Sequence, residues 1–156
     1  MNIMLNSPAP ALSLPATSGL QFKVSDYLGK YIVLYFYPKD ATPGCTTQGI
    51  QFRDMHAEFT AANAVIFGIS RDTLKSHENF KAKYMFPFEL ISDSEELACQ
   101  AFDVIKMKNM YGKQVRGIER STFLIDPKGT IVREWRGVKV DGHAAEVLAC
   151  IQSFHS

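Results

Sequence analysis

One cysteine sits in the most chemically suggestive frame of this chain, the stretch from Tyr35 through Pro38, Thr42, Pro43 and Gly44 to Cys45, Thr46 and Thr47. An apolar, strand-like run ends at Pro38, and the residues after it place a helix start at or just before Cys45. A thiol in the first helical turn faces backbone N–H groups without intrahelical partners and the positive end of the helix dipole, and both favour the thiolate. Thr42, three residues earlier, brings a hydroxyl able to donate to the sulfur or to an oxygen approaching it. Pro43 fixes one backbone angle and withholds a donor, while Gly44 lets the main chain come close to whatever Cys45 attacks. The competing reading is a buried structural cysteine that happens to begin a helix. It leaves the Pro, Thr, Pro and Gly frame unexplained.

The elements that must hold this frame can be read from spacing. Tyr31 to Tyr37 is continuously apolar and rich in β-branched and aromatic residues, the pattern of a central strand covered on both faces. Beyond Cys45, the recurrence of Phe52, Met55, Phe59 and Ala62 at three, four and three predicts one helix with an inward face, and Cys45 points to nearly the same side. The thiol should then lie at the base of a shallow pocket. Asn63 to Ser70 reads as a second strand, and Thr73 to Tyr84 as a second helix whose Leu74, His77, Phe80 and Lys81 trace one side. Phe88 to Ile91 is a short strand. Ser94 should cap a third helix that buries Leu97, Ala98, Ala101 and Phe102. Ser121 to Asp126 and Thr130 to Trp135 flank an Asp-Pro-Lys-Gly turn and predict a β-hairpin, and Asp141 to Phe154 an amphipathic terminal helix. Upstream, residues 8 to 20 form an extended lead-in, Leu20 to Val24 a short edge strand and Ser25 to Lys30 a helical or tight turn. The whole is one α/β domain over residues 1–156, with a mixed central sheet, helices on both faces and an N-terminal extension.

Composition narrows the function classes. At 156 residues the chain can bury about two-thirds of its unfolded surface without metals or disulfides. Lysine plus arginine number 17 against 16 acidic residues, which argues against a general polyanion-binding surface, and the aromatic run from Tyr31 to Tyr37 belongs to a core strand, so no nucleic-acid partner is expected. Lys106, Lys108, Lys113, Arg116 and Arg120 form a local basic stretch whose lysines read as a solvated loop, with steering of an anionic partner as the alternative. No run approaches the roughly 20 apolar residues of a membrane span, and Met1 to Pro8 lacks the basic flank and long apolar core of a signal peptide, so a cytoplasmic location is expected. Cys45, Cys99 and Cys150 are too far apart for a Cys-x-x-Cys redox or zinc pair. His56, His77, His143 and His155 show no metal-ligand spacing, and no phosphate cradle or nicotinamide fingerprint appears. No cofactor or metal is expected.

Pro38, Thr42 and Cys45 together resemble the peroxiredoxin pattern Pro-x-x-x-Thr-x-x-Cys, and the chain is most similar to the bacterioferritin-comigratory, or PrxQ, branch. The resemblance runs through Tyr35 to Thr47, Arg53-Asp54, Ile69 to Thr73 with Ser76-His77, Leu90 to Asp93, Ala101-Phe102 and Gly117 to Asp126. It implies a thiol peroxidase on a thioredoxin-like fold, and it puts Arg120 at the position of the family's active-site arginine. By spacing alone Arg120 would be a surface ion-pair partner of Glu119.

Hydroperoxide reduction needs an aligned thiolate, a proton for the leaving oxygen and donors that stabilise charge as the O–O bond breaks. The resemblance assigns the attack to Cys45, peroxide binding to its backbone N–H and the Thr42 hydroxyl, and charge stabilisation to Arg120. Pro38 shields the pocket; Pro43, Gly44 and Gln48 support it, although Gln48 reads equally well as a helix-surface residue. Many members of the branch carry a resolving cysteine five residues after the first, where this chain has Ile50. Cys99, which matches a cysteine of some relatives, is the remaining resolving candidate, off the buried stripe of its helix; Cys150 flanks the stripe of the last. A one-cysteine cycle is expected, with a hydroperoxide substrate and thioredoxin, glutaredoxin or a small thiol as reductant. A two-cysteine cycle through Cys99, a non-enzymatic peroxide sensor and a thioredoxin-type disulfide oxidoreductase are the alternatives. The branch resemblance also implies a monomer.

Overall fold

The computed structural model describes residues 5–155. Met1 to Met4 and Ser156 lie outside the described residues, and with them half of the N-terminal segment read above as lacking a leader. Strands β1 (Ser13–Pro15) and β2 (Gln21–Lys23) form an antiparallel N-terminal pair around a 3-10 turn at Thr17–Gly19, and a second such turn spans Val24–Tyr27. β3 (Tyr31–Phe36) leads into α1 (Pro43–Asp54) and α2 (His56–Ala61). There follow β4 (Ala64–Ser70), α3 (Leu74–Tyr84), β5 (Glu89–Ser92), α4 (Leu97–Ala101), the hairpin β6 (Ile105–Met110) and β7 (Lys113–Ile118), then β8 (Ser121–Ile125), β9 (Ile131–Arg136) and α5 (His143–Ser153). The main sheet runs β5-β4-β3-β8-β9, with β3, β4 and β5 parallel and β8 and β9 antiparallel. This is the thioredoxin-like mixed sheet that the resemblance implied.

Every residue of β3 is buried, as its uninterrupted apolar run requires of a strand covered on both faces. The two-residue period sorts them. Tyr31, Val33, Tyr35 and Tyr37 enter one core with Cys45, Phe52, Phe59, Phe80 and the inner side of α5. Ile32, Leu34 and Phe36 enter the other with Phe22 of the N-terminal pair and with Ala98, Cys99 and Phe102 around α4. Gly49 fixes how α1 lies: a Cβ there would stand 2.4 Å from Cζ of Phe86, so only glycine lets the ring lie against the helix. Phe86 in turn stacks on Phe88 and meets Phe80 edge-on.

Four expectations need correction. The single helix expected through Ala62 breaks at Met55, whose φ of −104° and ψ of 7° end α1, and whose carbonyl then receives the amides of Glu58 and Phe59 to begin α2. Phe52, Phe59 and Ala62 nevertheless stay inward. Leu74, expected on the inner side of α3, is exposed, whereas His77 and Phe80 are buried. The basic stretch is no solvated loop, because Lys106 to Met110 pairs in register with Lys113 to Gly117 around a two-residue turn at Tyr111 and Gly112. The third helix has neither the length nor the cap expected. Glu96 takes a left-handed φ of 62°, so α4 starts only at Leu97, and the cap is Asp93, whose carboxylate accepts the amides of Ala98 and Cys99 at 3.1 and 2.7 Å. This turns Leu97 outward and seats Cys99 in the core at 0 % exposure, against the expectation that it would lie off the buried stripe.

Candidate active site

Cys45 is the third residue of α1. Thr42 is the N-cap in extended conformation, Pro43 occupies the first turn where its missing N–H costs nothing, and the amide of Thr46 closes on the Thr42 carbonyl at 2.9 Å. The amides of Gly44 and Cys45 precede the first intrahelical bond and remain available to an incoming oxygen. The thiol is only 2 % exposed, set among Tyr35, Phe52 and their neighbours, with Tyr35 stacked on Phe52 at 4.7 Å between ring centres. The thiol therefore faces inward, on the same side as Phe52.

Arg120 enters from the turn before β8. Its Nη2 lies 3.5 Å from Sγ of Cys45, and its Nη1 donates to Oε1 of Gln48 at 2.6 Å. Among the described residues it forms no ion pair, so the surface pairing with Glu119 that spacing alone suggested is absent. Gln48 is fully buried, which settles its position as a support of the arginine over a helix-surface residue. Gly44 also serves the arginine: a Cβ there would come within 3.2 Å of Nη2. Pro38 is half-buried beside the frame. Thr42 differs from expectation, since its hydroxyl donates to the carbonyl of Lys39 at 2.8 Å and not to the sulfur. Its conformation as an N-cap aims the side chain back along the loop.

Beneath this loop is a buried polar brace that spacing did not reveal. The Tyr37 hydroxyl donates to Oδ1 of Asp40 at 2.6 Å, the Ser76 hydroxyl donates to Oδ2 at 2.8 Å, and Nδ1 of His77 lies 2.7 Å from the same oxygen. His77 Nε2 lies 2.9 Å from the Ile91 carbonyl, which can only accept, so Nε2 carries a hydrogen and the contact with Asp40 holds a second proton. Asp72 accepts from the Asp40 amide and the Ser70 hydroxyl. Asp40, Asp72 and His77 are also the described residues whose spacing could hold a metal ion, but these donors and acceptors already engage one another. The brace ties the end of β3 to α3 and β5, and so fixes where Lys39 to Thr42 presents α1. Ser76-His77 and the stretch from Ser70 to Asp72 carried its only sequence signal.

The other thiols are elsewhere. Cys99 lies across the sheet, and burial, then the charge of Asp93, pushes its thiol well up. Cys150, on α5, is half-buried and packs against the core that contains Cys45. Among the described residues no helix is long and apolar enough to cross a membrane.

Comparison with known proteins agrees with this geometry. The AhpC/TSA family profile matches residues 5–134. Peroxiredoxin Bcp of Xanthomonas campestris is 54 % identical over 96 % of this chain and 95 % of its own, and peroxiredoxin Bcp of Bacillus subtilis is 51 % identical over 97 % of each. A solved structure of the Xanthomonas campestris bacterioferritin comigratory protein, studied for its alkyl peroxide reduction activity, superposes with a TM-score of 0.91 at 52 % identity, over 97 % of this chain and 98 % of that one.

Proposed function

The chain belongs to the AhpC/TSA family, among its Bcp/PrxQ-type peroxiredoxins, and is a thiol-dependent peroxidase working through a catalytic cysteine; from that premise we propose that the cysteine is Cys45 and that its cycle uses no second cysteine of the chain. The thiolate attacks the terminal oxygen of a hydroperoxide ROOH. An S–O bond forms and the O–O bond breaks, so sulfur is oxidised by two electrons to the sulfenic acid and the departing RO⁻ takes a proton to become ROH. The amides of Gly44 and Cys45 hold the peroxide oxygens, and Arg120 supports first the thiolate and then the charge developing on the leaving oxygen. Pro38 and Pro43 shape the mouth, Gln48 orients Arg120, and Thr42 sets the helix start. The observation that carries the reading is the 3.5 Å approach of Arg120 Nη2 to Sγ at an open helix N-terminus. Hydrogen peroxide and small organic hydroperoxides are the substrates.

Recycling follows from where the other thiols are. A disulfide needs Cα atoms within about 7 Å; Cys99 belongs to the core on the other face of the sheet, and Cys150 is on α5, so neither is taken as the partner of Cys45. An external thiol therefore condenses with the sulfenic acid, releasing water and leaving a mixed disulfide, and a second thiol frees Cys45. Thioredoxin, glutaredoxin or a small thiol fills this role, and the protein works as a cytoplasmic monomer. Peptide mass spectrometry after one equivalent of peroxide tests the reading: Cys45 should be trapped by a dimedone-type reagent as sulfenic acid. A dominant Cys45–Cys99 or Cys45–Cys150 linkage would overturn the one-cysteine cycle, and oxidation that spares Cys45 would overturn the whole assignment.

A further inference from the structure

The loop between β3 and α1 holds a backbone conformation that needs support. Ala41 takes a left-handed φ of 62°, which an L side chain adopts only at a cost. It lies between the buried Asp40 and Thr42, the N-cap of α1. Asp40 is fixed through both its backbone and its side chain. Its amide donates to Asp72, and its carboxylate meets the Tyr37 hydroxyl, the Ser76 hydroxyl and Nδ1 of His77. Those partners are anchored in turn: His77 is fully buried with Nε2 on the Ile91 carbonyl of β5, while Asp72 accepts from Ser70 of β4 and its carbonyl from Ser92 of β5. The ends of β3, β4 and β5 and the first turn of α3 therefore converge on one carboxylate. A buried carboxylate needs several donors to offset its desolvation, and an apolar side chain could fill the same space. What the carboxylate adds is direction, because its partners fix its orientation and with it the path of the chain. From there to Cys45 little freedom remains: the Thr42 hydroxyl donates to the Lys39 carbonyl, Pro43 fixes one backbone angle, and the Thr46 amide closes on the Thr42 carbonyl.

We propose that Asp40, with Tyr37, Ser76 and His77, is the positioning device of the peroxide-binding turn: it holds Ala41 left-handed and so aims the amides of Gly44 and Cys45 at the oxygens of an incoming hydroperoxide. The inference rests on the reading of Cys45 as the peroxide-reducing thiol. All four act through the main chain of Lys39 to Thr42, and none is a catalytic residue. Contact geometry is what they supply, and not charge. Nε2 of His77 is committed to a carbonyl as a donor, so a neutral ring offers Nδ1 as an acceptor. In Asp40→Asn the side-chain oxygen can stay on the Tyr37 hydroxyl while the amide nitrogen donates to Nδ1 and to the Ser76 hydroxyl oxygen. Asp40→Ala keeps none of these contacts. A displacement of about 1 Å in donors that must meet a breaking O–O bond costs up to about 10²-fold in rate.

The test compares two reactions of reduced Cys45 in a single turnover: oxidation by hydrogen peroxide, which uses the amide donors, and alkylation by iodoacetamide, which does not. Asp40→Ala should slow the peroxide reaction about 10- to 100-fold without slowing alkylation. Asp40→Asn should bring the peroxide rate back to within about threefold of the original. A folded Asp40→Ala protein that is oxidised at the original rate, with only Tm lowered, would reduce the brace to a stability element and overturn the inference. Equal slowing of both reactions would overturn it too, by placing the effect on the thiol itself, as would an Asp40→Asn protein as slow as the alanine variant. Should Asp40→Ala not fold, Tyr37→Phe removes one hydroxyl and leaves the ring packed against Tyr35 and Phe80. It should lose roughly three- to tenfold in peroxide rate, the scale of one hydrogen bond, with alkylation unslowed; an unchanged peroxide rate would reject the proposal. The Cys45 reading fails separately, through retained peroxide consumption by the Cys45→Ser protein.

Discussion

Cys45 and Cys99 occupy the same place on two helices, the third helical residue, and both are almost fully buried. They lie on opposite faces of the central sheet, and their surroundings have opposite sign. At Cys99 the amides of Ala98 and Cys99 are consumed by the Asp93 carboxylate, so the helix end is neutralised and the thiol is held protonated. At Cys45 no carboxylate caps the turn, and a guanidinium stands beside the sulfur. At Cys99 burial first, and the carboxylate second, holds the thiol's pKa up; beside Cys45 the nearest charged group has the opposite sign.

The comparison can be broken most directly at the sulfur. Cys45→Ser should reduce peroxide consumption to the background of the thiol reductant alone in a metal-free assay, whereas retained turnover would move the chemistry to another residue. Next in size is Arg120→Met, expected to lower kcat/KM by about 10²- to 10³-fold, the usual loss when one transition-state donor is removed. Arg120→Lys should recover only part of this, since a lysine lacks the fork that joins Sγ to Gln48.

Acid should weaken the Cys45 face. His143 packs between Phe52 and Trp135 with Nε2 2.8 Å from the Thr122 hydroxyl oxygen, and burial holds its pKa down to about 4. Its folded-state value lies below the unfolded one, so the unfolded chain binds the extra proton first. Stability is therefore present above about pH 6.5 and is lost as pH falls toward 4, by roughly 2 to 3 kcal/mol. Denaturant titrations across that window should show the slope, and His143→Gln should flatten it.

On the other face the expected effects are smaller. Asp93→Asn should lower the Cys99 midpoint and cost about 1 kcal/mol of helix capping, yet Cys99 should stay unalkylated in native buffer because it remains buried. Peptide mapping after iodoacetamide treatment measures this directly. Smallest of all, Cys99→Ala should leave peroxide turnover within about twofold while lowering Tm by a few degrees, the loss of one buried sulfur in a chain of this size.

What was legible in the sequence was what is local. The run from Tyr31 to Tyr37 and the turn from Pro38 to Cys45 each encode their own conformation, so strand, helix start and thiol position followed from residue types. Arg120 came from resemblance, because its approach to Sγ joins segments 75 residues apart. Cys99 was misplaced because one left-handed residue, Glu96, and one distant cap, Asp93, decide which way α4 faces, and periodicity over five residues is too short to register either. Lys108 was misread because a charged residue's exposure depends on where its tip ends, and its partner is a backbone carbonyl that no side-chain pattern announces. Asp40 and His77 were missed for a similar reason: the brace exists only once the end of β3, α3 and β5 have come together.

The sheet that separates the two buried thiols also sets how the oxidised molecule keeps time. In the one-cysteine cycle proposed above, the lifetime of a Cys45 sulfenic acid would be the inverse of the supply of outside thiol, while its rate of formation would follow the supply of peroxide. Such a cycle would weigh one concentration against the other at a single atom. When thiol runs short, a second peroxide finds the sulfur still waiting, and its product, a sulfinic acid, is beyond simple thiols to reverse.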